Sequence, residues 1–111
     1  MQRYLRVLCV LLLSSAWPAF ADNLKNAIAT PERPDQYRSV DELGKPAEVL
    51  AFLGAKSGMS VFDVFAGGGY YTEILSRVVG EAGYVVHYNN APWAAFVKKS
   101  VDTRFENNRL A

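Results

Sequence analysis

The stretch that decides the fold is VFDVFAGGGYYT, residues 61–72. Its first half belongs to a run of β-branched and aromatic residues over 60–65, which predicts a buried strand. The glycines Gly67, Gly68 and Gly69 follow at once, and a helical apolar pattern begins directly after them. A strand, a glycine turn and a helix in this order are typical of α/β proteins with a parallel sheet.

Downstream of the glycines the pattern of strand and helix continues. Residues 70–79 form a predicted helix, with apolar positions Tyr71, Ile74, Leu75 and Val78 on one face. A second strand is predicted over 84–88, and a third helix over 93–105 carries Trp93, Phe96, Val97 and Val101 as its apolar face. The helix between the strands makes them parallel neighbours. Two short strands alone make a poor sheet, so we expect the sheet to be incomplete.

Upstream of the glycines, one helix is predicted over 40–53. Its apolar positions Leu43, Ala47, Leu50 and Ala51 recur at helical spacing. Pro46 either opens the main part of this helix or kinks it, and Gly54 follows as the residue that ends it. Residues 22–39 contain Pro31 and Pro34, and we expect an extended lead-in with one helical turn around 24–29.

The first 21 residues have the order of a secretory signal peptide. Arg3 and Arg6 precede an apolar run over 7–15, and Ala19-Phe20-Ala21 supplies small residues for cleavage after Ala21. The run is too short to span a bilayer. The sequence therefore predicts an exported chain, periplasmic or secreted. The alternative is a buried N-terminal helix. The residues before Asp22 lack the amphipathic spacing of such a helix, which argues against it.

Composition excludes several functions. The single cysteine, Cys9, lies in the expected signal peptide, so the mature chain would have no disulfide. Without Arg3 and Arg6 there remain 10 basic and 11 acidic residues, and no basic block suggests nucleic acid or an anionic membrane as partner. The only histidine, His87, has no ligand-spaced companion, so no metal site is expected.

The glycine turn is suited to ligand binding. Glycines let a ligand approach the backbone closely, and the following helix directs its free N–H groups toward that ligand. Asp63 lies near the same end of the strand and can bond polar groups of the ligand. Glu73 is expected to complement the helix dipole rather than to pair with Asp63 as acid and base. A plain tight turn remains the alternative reading of the glycines.

The segment Asp63 to Gly69 resembles the D-h-G-x-G-x-G loop of class I S-adenosylmethionine-dependent methyltransferases. It is most similar to exported bacterial predicted methyltransferases, which share the patterns at 45–50, 65–73 and 89–93. This resemblance implies a Rossmann-like fold, S-adenosylmethionine as cofactor and transfer of its methyl group. It also implies a set of cofactor-binding residues: Asp63, Ala66, Gly67, Gly68, Gly69, Tyr71, Asn89 and Asn90.

Two departures from the general pattern concern binding. Phe65 stands where the general loop has its first glycine, and Asn89 or Asn90 stands where an acid usually grips the ribose. An amide can still bond a hydroxyl, without the strength of a carboxylate. No catalytic residue and no methyl acceptor can be named from these residues.

The resemblance divides the chain into a signal peptide at 1–21, a lead-in at 22–39 and the N-terminal half of a doubly wound Rossmann-like domain at 40–111. We expect a truncated methyltransferase whose acceptor half is missing. A non-catalytic module for a nucleotide-like ligand and a non-functional fragment are the alternatives. The open edge of an incomplete sheet offers a route to self-association.

Overall fold

A computed structural model describes residues 16–106, with side chains from residue 21 onward. The apolar run of the expected signal peptide and the last five residues lie outside the described part. The helices and strands, in chain order, are α1 (Ala16–Ala29), α2 (Asp35–Arg38), α3 (Asp41–Gly44), α4 (Pro46–Phe52), β1 (Ser60–Val64), α5 (Tyr70–Val79), β2 (Tyr84–Tyr88) and α6 (Ala91–Arg104).

The two strands are parallel neighbours, as the sequence predicts. They pair in register, so that Asp63 lies opposite His87 and Val64 lies opposite Tyr88. The helix α5 connects them, and its bounds and those of β2 match the predicted ranges. The fold is therefore mixed α/β with an open two-stranded parallel sheet, consistent with part of a Rossmann-like fold.

One face of this sheet is covered and the other is open. Val61 and Val85 pack against a core formed by buried residues of α1, α4 and α5, together with Ala55 from the turn after α4. The opposite face is apolar yet exposed in the described structure, although the composition of the strands predicts burial on both faces. The residues on that open face are Phe62, Val64, Tyr84, Val86 and Tyr88.

The lead-in is more helical than the sequence suggests. The helix α1 runs through Ala29, and Leu24 and Ala27 are buried in the core. The Asn23 side chain donates to the carbonyl of Val78 over 2.9 Å, which attaches α1 to the end of α5. Spacing of Leu24, Ala27 and Ile28 by three and four residues explains this, since it puts them on one helix face. In the described residues no helix has the length and apolarity needed to cross a membrane.

The helix predicted over 40–53 is in fact two helices, separated at Lys45. Lys45 has φ 44°, in the left-handed region, and Pro46 is the first residue of α4. A proline disfavours helical geometry at the residue before it and cannot donate an N–H. The expected shared face is therefore wrong: Leu50 is buried, whereas Leu43 is 89% exposed. Gly54, with φ 67°, follows the helix as predicted.

The expectation for α6 is also corrected. Trp93 and Phe96 stack on each other with ring centroids 5.1 Å apart, but both are exposed, Phe96 by 77%. Of the predicted apolar face, Val97 is buried. The helical spacing places these rings together, but it does not determine whether another element covers them.

A buried arginine attaches the N-terminal segment to the start of α5. The guanidinium of Arg33 donates to both carboxylate oxygens of Asp41, over 2.9 and 2.7 Å, and to the carbonyl of Ile28. The Tyr70 hydroxyl donates to the same carboxylate over 2.7 Å. The hydrogen bond from Arg33 lowers the pKa of Asp41, so the carboxylate stays ionised. These bonds hold the first residue of α5 in place, and with it the end of the glycine turn.

Candidate functional site

The candidate site is the glycine loop, residues 65–69, between β1 and α5. The Ala66 N–H donates to the carbonyl of Tyr88 over 3.1 Å, which continues the pairing of the strands beyond their ends. The loop therefore lies at the carboxyl end of both strands, where ligands of parallel α/β proteins bind. It leads directly into α5, whose cap residue Gly69 has no side chain to bond the first helical N–H groups.

Three residues of this loop adopt positive φ angles. Gly67 has φ 59° and Gly69 has φ 87°, which glycine adopts at little cost. Phe65 has φ 57°, although it carries a side chain. The backbone thus keeps a glycine-type conformation at the position where the methyltransferase loop that this segment resembles has its first glycine. Such strain costs about 1–2 kcal/mol and is characteristic of functional sites.

Asn89 fixes the middle of the loop. Its Oδ1 accepts from the Gly67 N–H over 2.9 Å, and its Nδ2 donates to the Gly67 carbonyl over 3.0 Å. One amide side chain thereby satisfies both backbone groups of one glycine. We call this pair of hydrogen bonds the Asn89–Gly67 clamp. It connects the residue after β2 to the loop after β1.

A chain of polar side chains extends from this clamp to Asp63. The Asn89 Nδ2 also lies 3.0 Å from His87 Nε2, and His87 Nδ1 lies 2.9 Å from the Thr72 hydroxyl. Thr72 donates to the Asp63 carboxylate over 2.6 Å. The structure thus brings three of the predicted site residues, Asp63, Gly67 and Asn89, into one network through two residues that the prediction left out.

The other side of the loop is covered by the end of α6. The Arg104 guanidinium donates to the Gly68 carbonyl over 2.6 Å and pairs with the buried Glu73 carboxylate at 2.5 Å. A Cβ atom on Gly69 would lie 2.8 Å from the Phe105 ring. Glu73 is thus part of a buried ion pair as well as a first-turn residue of α5. Gly69 is required here by the packing of Phe105.

Space remains beside Gly67. A Cβ atom built there would have the Trp93 Nε1, 3.9 Å away, as its nearest neighbour. A ligand can therefore approach the backbone at Gly67, whereas the chain itself occupies the approach at Gly69. Of the three glycines, Gly67 is the one whose surroundings match the predicted role.

The other predicted residues lie around the loop in different roles. The Tyr71 hydroxyl donates to the Gly44 carbonyl over 2.6 Å, and burial raises its pKa. Its hydroxyl is thus directed at α3. The Asn90 side chain caps α6 by accepting from the Trp93 N–H over 3.1 Å, and it is exposed. Within the described part of the chain, no three His, Cys, Asp or Glu side chains form a metal-binding group.

Sequence reasoning missed Thr72, Arg104 and Phe105 and gave His87 no role in the site. The parallel strand pairing was predicted, but its register was not, and register is what puts His87 opposite Asp63. Thr72 could have been found as a hydroxyl in the first turn after the glycines. No signal pointed to Arg104, which reaches the loop from the opposite end of α6.

The chain matches a known protein family over most of its length. The family model for protein-L-isoaspartate(D-aspartate) O-methyltransferase matches residues 29–104. This range is well over half of the 111 residues, and it contains β1, the glycine loop, α5, β2 and α6. The chain therefore belongs to this methyltransferase family. Comparison with curated proteins and with solved structures gives no match.

The strain at Phe65 gives the first prediction. Phe65→Gly and Phe65→Ala both remove the exposed ring, but only glycine relieves the positive φ. We expect Phe65→Gly to be more stable than Phe65→Ala by about 1 kcal/mol. Urea unfolding of the full chain, followed by circular dichroism, measures the difference. In ordinary extended or helical backbone alanine is the more stable of the two, so that order would show Phe65 to be unstrained.

Proposed function

We propose that this member of the methyltransferase family binds S-adenosylmethionine at the glycine loop and presents its methyl group for transfer. Methyltransferases of the matched family use this cofactor. The observation that carries the proposal is the loop itself, which lies at the carboxyl ends of two parallel strands with Gly67 open to a ligand.

The residues around the loop suggest how the cofactor is held. The N-terminal end of α5 favours an anion such as the carboxylate of the methionine part. Because Phe105 occupies the approach at Gly69, the ligand would reach this end from the side of Gly67. Asn89 is committed to Gly67 and His87. Asn90 is exposed, and its Oδ1 caps α6. Its amide nitrogen is therefore the better candidate to donate to a ribose hydroxyl.

The chemistry asks for positioning rather than for strong acids or bases. S-adenosylmethionine supplies a methyl group on a sulfonium, which a nucleophile displaces in line. Holding the reactants in that geometry contributes much of the rate enhancement. We assign to this chain the binding and orientation of the cofactor. The family name refers to L-isoaspartate in proteins as methyl acceptor, whereas the residues around the loop are proposed to bind the cofactor.

Binding of the cofactor is tested with two matched glycine variants. Gly67→Ala and Gly54→Ala each add one methyl group at a positive φ in open surroundings, and only Gly67 is in the loop. We expect S-adenosylmethionine to bind the full chain and Gly67→Ala to bind it at least about tenfold more weakly, a loss of about 1.4 kcal/mol. Gly54→Ala should bind like the unaltered chain. Isothermal titration calorimetry measures the three affinities.

Two results would contradict the proposal. Absence of binding to the unaltered chain would remove the function, and equal affinities in all three proteins would place the ligand elsewhere. Transfer of a labelled methyl group then distinguishes an enzyme from a module that only binds the cofactor.

We further propose that the chain is exported and loses its first 21 residues. The order of two arginines, an apolar run over 7–15 and Ala19-Phe20-Ala21 supports this. Asn23, Leu24, Ala27 and Ile28, which attach α1 to the rest of the chain, follow the expected cleavage position. Removal of residues 1–21 would therefore leave these contacts in place.

Mass spectrometry of the secreted or periplasmic fraction tests export. We expect a chain that begins at Asp22, whereas Ala21→Leu, which replaces the small residue at the cleavage position, should accumulate uncleaved. A full-length chain in that fraction, or a cleaved Ala21→Leu variant, would contradict the proposal.

A further inference from the structure

The orientation of the Asn89 amide is determined by the backbone of Gly67. The Gly67 N–H can only donate and the Gly67 carbonyl can only accept, so Asn89 must place Oδ1 toward the first and Nδ2 toward the second. The second hydrogen of Nδ2 then faces His87 Nε2 at 3.0 Å. His87 Nε2 must accept this hydrogen bond, so it carries no proton.

The far side of the imidazole assigns the same tautomer. The Thr72 hydroxyl has one proton, and it donates this proton in a hydrogen bond to the Asp63 carboxylate over 2.6 Å. Thr72 Oγ1 is then free to accept from His87 Nδ1–H over 2.9 Å. Neutral His87, protonated at Nδ1, satisfies every group between Asp63 and Gly67.

We propose that neutral His87 is a positioning residue that holds the Asn89–Gly67 clamp, and that a proton on its Nε2 releases the clamp and loosens the glycine loop. A protonated Nε2 would face the Asn89 Nδ2, donor against donor. Turning the amide around would relieve this, but it would place Nδ2 against the Gly67 N–H and Oδ1 against the Gly67 carbonyl. Both bonds of the clamp would be lost.

The surroundings of His87 favour the neutral ring. Burial lowers its pKa, Asp63 on β1 acts in the opposite direction, and Arg104 on α6 lowers it further. The Phe105 ring packs edge-on at 5.7 Å and brings no charge. In the folded chain the pKa of His87 therefore lies below about 6.5, its usual value. The stability contributed by neutral His87 is complete above pH 6.5 and is lost as the pH falls from 6.5 through the pKa of the folded chain.

For the cofactor, this inference rests on the proposed function. If the loop must be clamped to bind it, only molecules with neutral His87 are competent. At one pH unit below the pKa of His87, about one molecule in ten qualifies, and the apparent affinity falls about tenfold. We expect binding of S-adenosylhomocysteine to weaken with the same pKa that the imidazole shows.

The test is a nuclear magnetic resonance titration of the full chain between pH 8 and pH 5 without ligand. The His87 ring should titrate below pH 6.5, and the Gly67 amide should shift with the same midpoint. The protection of the Gly67 amide from hydrogen exchange, relative to an unstructured chain at the same pH, should fall on the acid side. A Gly67 amide that does not follow His87, or a His87 pKa at or above 6.5, would overturn the proposal.

Two variants separate positioning from simple packing. His87→Gln keeps a polar side chain that does not titrate, so the Gly67 amide should show no midpoint in this range. Asn89→Asp offers a carboxylate to His87, which should raise the pKa of His87 above that of the unaltered chain. The introduced carboxylate would also still accept from the Gly67 N–H. A His87 pKa unchanged by Asn89→Asp would contradict the assigned contact.

The failure of each proposal has its own result. A coupled His87–Gly67 titration without any binding of S-adenosylhomocysteine would contradict the proposed cofactor function and support the role of His87 in the clamp. Binding whose affinity stays constant through the pKa of His87 would remove the control by His87 and leave the function.

Discussion

The structure of the site depends on two hydrogen bonds between the Asn89 side chain and the backbone of Gly67. A loop with three positive φ angles has few regular backbone bonds of its own, so its shape must be set from outside. Asn89 does this from the end of the neighbouring strand. Because the strands are in fixed register, the position of Asn89 follows from the sheet, and the loop follows from Asn89.

The end of α6 limits which side of the loop can bind a ligand. Arg104 holds the Gly68 carbonyl, and Phe105 fills the space at Gly69. The Arg104 ion pair with Glu73 is buried, and breaking such a pair by removing one partner is costly, at about 3–5 kcal/mol. This cost keeps α6 against the loop. The open approach at Gly67 is therefore where we propose that the cofactor binds.

The sequence predicted the order of elements from β1 to α6, because this order depends on local patterns. Glycines after a buried strand, and apolar spacing from Tyr71 to Val78, are properties of neighbouring residues. What depends on distant partners was not predicted. The helix break at Lys45 was partly predictable. Pro46 indicated a break, whereas the apolar spacing over 40–53 favoured one continuous helix. Whether Phe62 and Tyr88 are exposed depends on whether another element covers that face of the sheet, and local sequence patterns do not contain this information.

If the adenosyl cofactor contacts the loop at Gly67 as proposed, a map of contacts between bound ligand and protein will show it most directly. Intermolecular nuclear Overhauser effects between S-adenosylhomocysteine and the full chain provide this map. We expect effects from the ligand to the Gly67 amide and the Trp93 indole, with none to the exposed face of the sheet. Effects confined to that face, with none at Gly67 or Trp93, would contradict the proposal.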